Sequence, residues 1–176
     1  MPQIVVVCTG NLNRSPFAAA LLARSLPNGL AVSSGGFAAE GRPTPQRMVD
    51  AAAEHGVDLS DHRSRRLTAD DVERADLVLC MDRSHPVRVA ELSTRAPAVT
   101  FTLPEALARF TATGAHDLAG MVAAASAERS VTEFLRPRQG DVEDPMGRNA
   151  RTHRRVAADI VGMVESLVSL VPTTPG

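Results

Sequence analysis

Three residues in this chain have types and spacing that could do chemistry: Cys8, Arg14 and Ser15, within Cys8-Thr9-Gly10-Asn11-Leu12-Asn13-Arg14-Ser15-Pro16. A cysteine is a strong nucleophile as its thiolate, a form favoured by a helix N-terminus and a nearby guanidinium. Arg14 can hold two oxygens of a tetrahedral anion with its planar fork. The five residues between, Thr9, Gly10, Asn11, Leu12 and Asn13, can wrap their backbone N–H groups around the same anion. Ser15 can donate its hydroxyl to the sulfur, keeping it ionised and later helping it leave. A lone cysteine closing an apolar strand is commonly a core filler. The joint pattern differs: Gly and Asn at the second and third loop places, then Arg-Ser-Pro, has a chance frequency on the order of one in a million.

Such a constellation needs a strand before it and a helix after it. Residues 4–7 form a short β-branched run suited to a buried parallel strand. Gly10 and the two asparagines allow the backbone angles of a tight loop. Ser15 and Pro16 read as an N-cap and first helical position, with 17–22 continuing as helix. Cys8 then leaves a strand at its C-terminal end and faces a helix N-terminus, which is an anion site. Residues 30–32, running into Ser33-Ser34-Gly35-Gly36, predict a second strand, 75–80 a third and 98–102 a fourth. Helices are expected over 46–55 (Met48, Val49, Ala52 and Ala53 inward, Gly56 closing), over 67–74 capped by Thr68 or Asp70, and opening at 81–85. A last helix over 150–171 carries the stripe Val156, Ile160, Met163, Val164, Leu167 and Leu170, with Arg151, Arg154 and Arg155 on a solvated face. Strands alternating with helices imply an α/β fold with parallel pairing and right-handed crossovers. Turns or loops are expected at 27–29, 37–45 and 136–140, and a loose tail from Pro172. The stretch 104–135 looks helical, as a flap or an extra packing layer.

A chain of 176 residues suits one domain with a single core. A net charge of −1 gives no electrostatic reason to expect nucleic acid or an anionic membrane as partner, although all 19 basic residues are Arg. Without Trp or Tyr, and with five Phe, a stacking surface for single-stranded nucleic acid is not expected. Two cysteines make no disulfide framework and suit a reducing compartment; Cys80 reads as a buried filler. Met1-Pro2-Gln3 lacks the features of a signal peptide and no apolar run is long enough to span a bilayer, so the expectation is a cytoplasmic protein.

The motif from Cys8 to Pro16 resembles the phosphate-binding loop of the low-molecular-weight protein tyrosine phosphatases, a family that includes a branch of arsenate reductases. Asp144-Pro145 matches the family's second signature, and the resemblance is weakest over about 103–140, where a helical insertion is expected. It implies a four-stranded parallel sheet with helices on both faces and the phosphate loop after the first strand. It also implies a metal-free, cofactor-free reaction on a phosphorylated protein or small phosphoester: Cys8 attacks, Arg14 and the loop hold the phosphoryl oxygens, and an acid protonates the leaving group. Among Asp141, Glu143 and Asp144, Asp144 is chosen because the stiff Pro145 follows it, as in the family. Ser34 stands where a family serine braces the loop, or is a turn serine bonding its own backbone. His62, in 57–65, resembles a histidine that braces the loop asparagine, here Asn11, or is a surface residue. His55, His85, His116 and His153 receive no role.

The chain departs from the family pattern in three places. Asn13 replaces a second loop cysteine, which removes reversible disulfide protection of Cys8. Met146 and Gly147 stand where an aromatic flanks a phosphotyrosine ring, leaving Phe37 as the aromatic of the rim. Leu12 is bulky and apolar where phosphoarginine-directed relatives carry a small polar residue, which favours an aryl substrate. The alternatives are an arsenate reductase that borrows an external thiol, and a catalytically weak phosphate- or partner-binding protein working through its middle helices.

Overall fold

β1 (Gln3–Cys8) runs between two parallel neighbours, β2 (Ala31–Gly36) and β3 (Leu77–Cys80), and β4 (Thr100–Thr102) pairs with β3. The order is β2-β1-β3-β4 in this computed structural model, which describes residues 1–26, 30–115, 117–137 and 140–171. The turn expected at 27–29, part of the break at 136–140, His116 and the tail from Pro172 lie outside the described residues. Ile4 to Val7 and Leu77 to Cys80 are all fully buried. Successive strand residues face opposite sides, so both faces of the sheet are covered, which explains the unbroken apolar runs.

The covering helices follow from the crossovers. α1 (Arg14–Ser25) packs on β1 and β2 and against the long C-terminal helix α9 (Ala150–Leu170), which also carries α2 (Gln46–Ala53). α3 (Ala69–Arg74) lies against β1, while α4 (His85–Ala90) and α5 (Ala96–Val99) lie against β4 and β3. Thr68 caps α3: its hydroxyl accepts from the Asp71 N–H, and the Asp71 carboxylate accepts from the Thr68 N–H. The middle stretch forms α6 (Leu103–Phe110), α7 (Leu118–Ala127) and α8 (Val131–Leu135). It buries Phe110, Leu118, Met121, Val122, Ala125 and Phe134. Arg129 ties it to the sheet. Its guanidinium donates to the Thr100 carbonyl at 2.7 Å and to the Glu105 carboxylate at 3.3 Å, and lies 4.1 Å over the Phe101 ring.

Several expectations shift in position. α1 begins at Arg14, with Asn13 in the cap place and Ser15 inside the first turn, because the Ser15 hydroxyl is engaged by Cys8 and Asn11 and does not cap. α4 opens at His85, after Ser84 has closed a turn on the Asp82 carboxylate (N···Oδ1 2.8 Å). The fourth strand is shortened because Ala96–Val99 turns helical before it. On α2, Ala51 is buried with Met48 and Ala52, while Ala53 is exposed. On α9, Met163 and Leu170 are half-buried, and His153 and Ala157 join the inward stripe. Arg154 and Arg155 reach Glu54 and Glu143, each at 2.6 Å; exposed pairs of this kind contribute at most about 1 kcal/mol.

Candidate active site

The chain leaves β1 at Cys8 and turns sharply through Asn11, whose φ of +51° lies in the left-handed region that asparagine tolerates. By helical geometry the first N–H groups of α1 have no partner within the helix. Among the described residues no protein group accepts from the N–H groups of Gly10, Leu12 and Asn13. These three residues line one cleft with Cys8; the buried Cys8 sulfur accepts from the Asn11 N–H at 3.2 Å and lies 3.0 Å from the Ser15 hydroxyl. The Ser15 oxygen accepts from the Asn11 side-chain amide at 3.0 Å. Its own proton is thus free for the sulfur, the Gly35 carbonyl being farther at 3.5 Å.

Asn11, fully buried, is the hub of the loop. Its amide also donates to Ser34 Oγ at 2.9 Å, its Oδ1 accepts from the Arg65 N–H at 2.9 Å, and its carbonyl faces His62 Nε2 at 2.8 Å. Ser34 and His62 therefore both touch the loop asparagine. The register sets Gly36 beside Cys8. A Cβ there would sit 2.8 Å from the Asn11 nitrogen and 2.9 Å from the Cys8 carbonyl oxygen, so only glycine lets the loop lie this close to β2.

The other half of the site comes from the segment before α9. Arg14, 3 % exposed, donates to the Val142 carbonyl at 2.9 Å and to Asp144 Oδ2 at 2.7 Å. Of the three carboxylates in that segment, Asp144 alone reaches it: Asp141 pairs with Arg83 and Glu143 with Arg155. The Asp144 side chain is 45 % exposed, and its Oδ1 accepts from the Met146 N–H at 3.0 Å. One small cleft is lined by Cys8, Gly10, Leu12, Asn13, Arg14, Asp144 and Met146. A cavity of about 540 Å³ lies elsewhere, lined mainly by α5 and α7, and no cysteine lines it. Among the described residues no group of three His, Cys, Asp or Glu side chains could hold a metal ion.

Sequence reasoning missed His85. It is buried, its Nε2 lies 3.0 Å from Thr9 Oγ1, and its ring meets Phe37 at 5.5 Å. Burial pushes its pKa down to about 4; Asp82 opposes the shift, and Arg14 and Arg88 add to it. The available signal was topological: His85 follows the C-terminal end of a strand adjacent to β1, the edge where open α/β sheets place ligands. Cys80 is fully buried in β3, and burial, with Glu105 and Asp82 adding, pushes its thiol well up.

A thiol in an anion-binding loop at the C-terminal edge of a four-stranded parallel sheet, with an arginine and a carboxylate converging on it, defines a class of phosphate-handling α/β protein. The low molecular weight phosphotyrosine protein phosphatase family matches residues 3–119. A probable low molecular weight protein-tyrosine-phosphatase, EpsP, of Ralstonia nicotianae is 45% identical over 97 residues, 55% of this chain and 65% of the relative. The match thus spans just under two thirds of that relative's length. A protein-arginine-phosphatase of Geobacillus stearothermophilus is 34% identical over 172 residues, 97% of each chain. The solved structure of YwlE arginine phosphatase from Geobacillus stearothermophilus superposes with a TM-score of 0.72 at 28% identity, covering 96% of this chain and 92% of that one. The chain belongs to the low molecular weight phosphotyrosine protein phosphatase family, a family of enzymes. Among the described residues no helix is long and apolar enough to cross a membrane.

Proposed function

We propose that this chain is a cysteine-dependent phosphatase that hydrolyses a phosphomonoester through a cysteinyl-phosphate intermediate. The observation that carries the reading is the convergence of the Cys8 sulfur, the Arg14 guanidinium and the Asp144 carboxylate on one cleft beneath a loop of free N–H groups. The Cys8 sulfur attacks phosphorus; the P–S bond forms as the ester P–O bond breaks, and Asp144 gives its proton to the leaving oxygen. Water then attacks phosphorus while Asp144 takes one of its protons. The P–S bond breaks, inorganic phosphate leaves, and the Ser15 hydroxyl stabilises the departing thiolate. Throughout, Arg14 and the free N–H groups of Gly10, Leu12 and Asn13 hold the non-bridging oxygens, while the Asn11 N–H stays on the sulfur. Ser34 and His62 act on the reaction only by fixing Asn11.

The substrate is a phosphorylated protein or a small phosphoester, met in the cytoplasm. Phosphotyrosine is the first reading, because Leu12 offers an apolar wall to an aryl group. Phosphoarginine is the second, favoured by the similarity over 97% of the chain to a protein-arginine-phosphatase. Residues 1–176 form one domain, in which the insertion over about 103–140 works as a packing layer. The test is turnover of p-nitrophenyl phosphate, phosphotyrosine and phosphoarginine by wild type and Cys8→Ser. Wild type should turn over, and the variant should lose activity entirely while keeping phosphate binding. Equal turnover by the two proteins would refute the mechanism.

A further inference from the structure

We propose that Arg88 reads a carboxylate flanking the phosphoryl group of a peptide substrate; the inference rests on the phosphatase reading above. Its position follows from the topology. β2 and β3 lie on either side of β1, so the segments leaving their C-terminal ends emerge on both sides of Cys8. Phe37 comes from the first segment and His85 from the second, and they meet at Thr9, the residue after the sulfur. The Phe37 N–H donates to the Thr9 carbonyl at 2.9 Å, and His85 Nε2 lies 3.0 Å from the Thr9 hydroxyl. The two rings pack 5.5 Å apart, tilted by 46°.

Arg88 stands three residues after His85 on α4, on the same side of the helix. Its guanidinium carbon lies 4.0 Å over the Phe37 ring centroid. A cation–π contact of this kind draws the guanidinium onto the face of the ring. It fixes the plane of the fork and uses none of its N–H groups. Arg88 is exposed, and among the described residues no carboxylate pairs with it. Elsewhere Arg65, Arg74, Arg83, Arg109, Arg154 and Arg155 each hold an acid. The acids around His85 are also taken: Asp82 accepts from Ser84, and Asp141 pairs with Arg83. Arg88 is therefore an oriented guanidinium with free donors, placed beside the phosphate loop. A planar fork of this kind matches a carboxylate with two parallel hydrogen bonds. A phosphopeptide with Asp or Glu a residue or two from the phosphoryl group would engage Arg14 and Arg88 together.

The test compares two phosphotyrosyl peptides that differ only in flanking Asp and Glu replaced by Asn and Gln. Wild type should favour the acidic peptide in kcat/KM by about 2–5-fold, through KM, with the preference shrinking as salt rises. Arg88→Gln should bring the ratio to about one, and Arg88→Lys should retain part of it. A ratio of one in wild type, or an undiminished ratio in Arg88→Gln, overturns the proposal. Because the ratio compares two substrates on one protein, a change in folded fraction does not move it. The affinities of both peptides for the Cys8→Ser protein, with and without Arg88→Gln, give the same ratio without turnover. A wild type inactive on both peptides would count against the phosphatase reading, while that affinity ratio would still decide the role of Arg88.

Discussion

Gly36→Ala should disable the site without touching any group that does chemistry. The new methyl would lie 2.8 Å from the Asn11 nitrogen, 2.9 Å from the Cys8 carbonyl oxygen and 3.0 Å from the Asn11 Cβ. Comfortable non-bonded contacts lie nearer about 3.5 Å, so the loop or β2 must move by roughly half an ångström or more. None of the three neighbours is the free end of a flexible side chain. Two belong to the backbone, and Asn11 is held by Ser15, Ser34, Arg65 and His62. Overpacking of this kind costs about 1–3 kcal/mol, or about 2–4 °C in Tm per kcal/mol for a chain of this size. The kinetic cost should be larger, since a displacement approaching 1 Å in a catalytic site lowers rate by about 10²-fold. Gly35→Ala is the control. Its methyl would press on Leu67 at 3.3 Å, away from the loop, so it should lower Tm while leaving kcat within about 3-fold. Thermal melts and kcat on p-nitrophenyl phosphate read both effects. A Gly36→Ala protein with wild-type kcat would show that close approach of β2 to the loop does not set the geometry around the sulfur.

Asp144→Asn should slow hydrolysis of an alkyl phosphate by about 10²–10⁴-fold and an aryl phosphate with a good leaving group far less; equal losses on both would remove Asp144 as the proton donor. His85 gives a pH signature. Its folded pKa of about 4 lies below the ordinary 6.5, so between these values the unfolded chain binds a proton that the folded one refuses. Its contribution is complete above pH 6.5 and is lost as pH falls toward 4, by about 1.4 kcal/mol per pH unit and about 3 kcal/mol in all. Urea unfolding of wild type and His85→Gln from pH 7 to 4.5 should show that slope in wild type alone, and parallel curves would sink the assignment.

The chemistry was legible because it is local. Cys8, Arg14 and Ser15 fall within eight residues, and strand, loop and helix follow one another with no long-range partner needed to recognise them. The two central strands were legible for a related reason: β1 and β3, covered on both faces, leave apolar runs that need no alternation to be seen. Boundaries were not, because a turn closed by Asp82 and Ser84 and a helical turn at Ala96–Val99 arise from local hydrogen bonds that composition barely marks. What joins distant segments was not legible from the residues alone. Asp141, Glu143 and Asp144 are chemically alike; Pro145 and the family resemblance singled out Asp144, and the path of the chain brings it, 130 residues away in sequence, onto Arg14. His85 and Phe37 look like an unremarked histidine and a loop aromatic until the order of the sheet places them at Thr9. Side-chain chemistry is written residue by residue, but which side chains meet depends on crossover paths and strand order, and these are fixed by the packing of the whole chain.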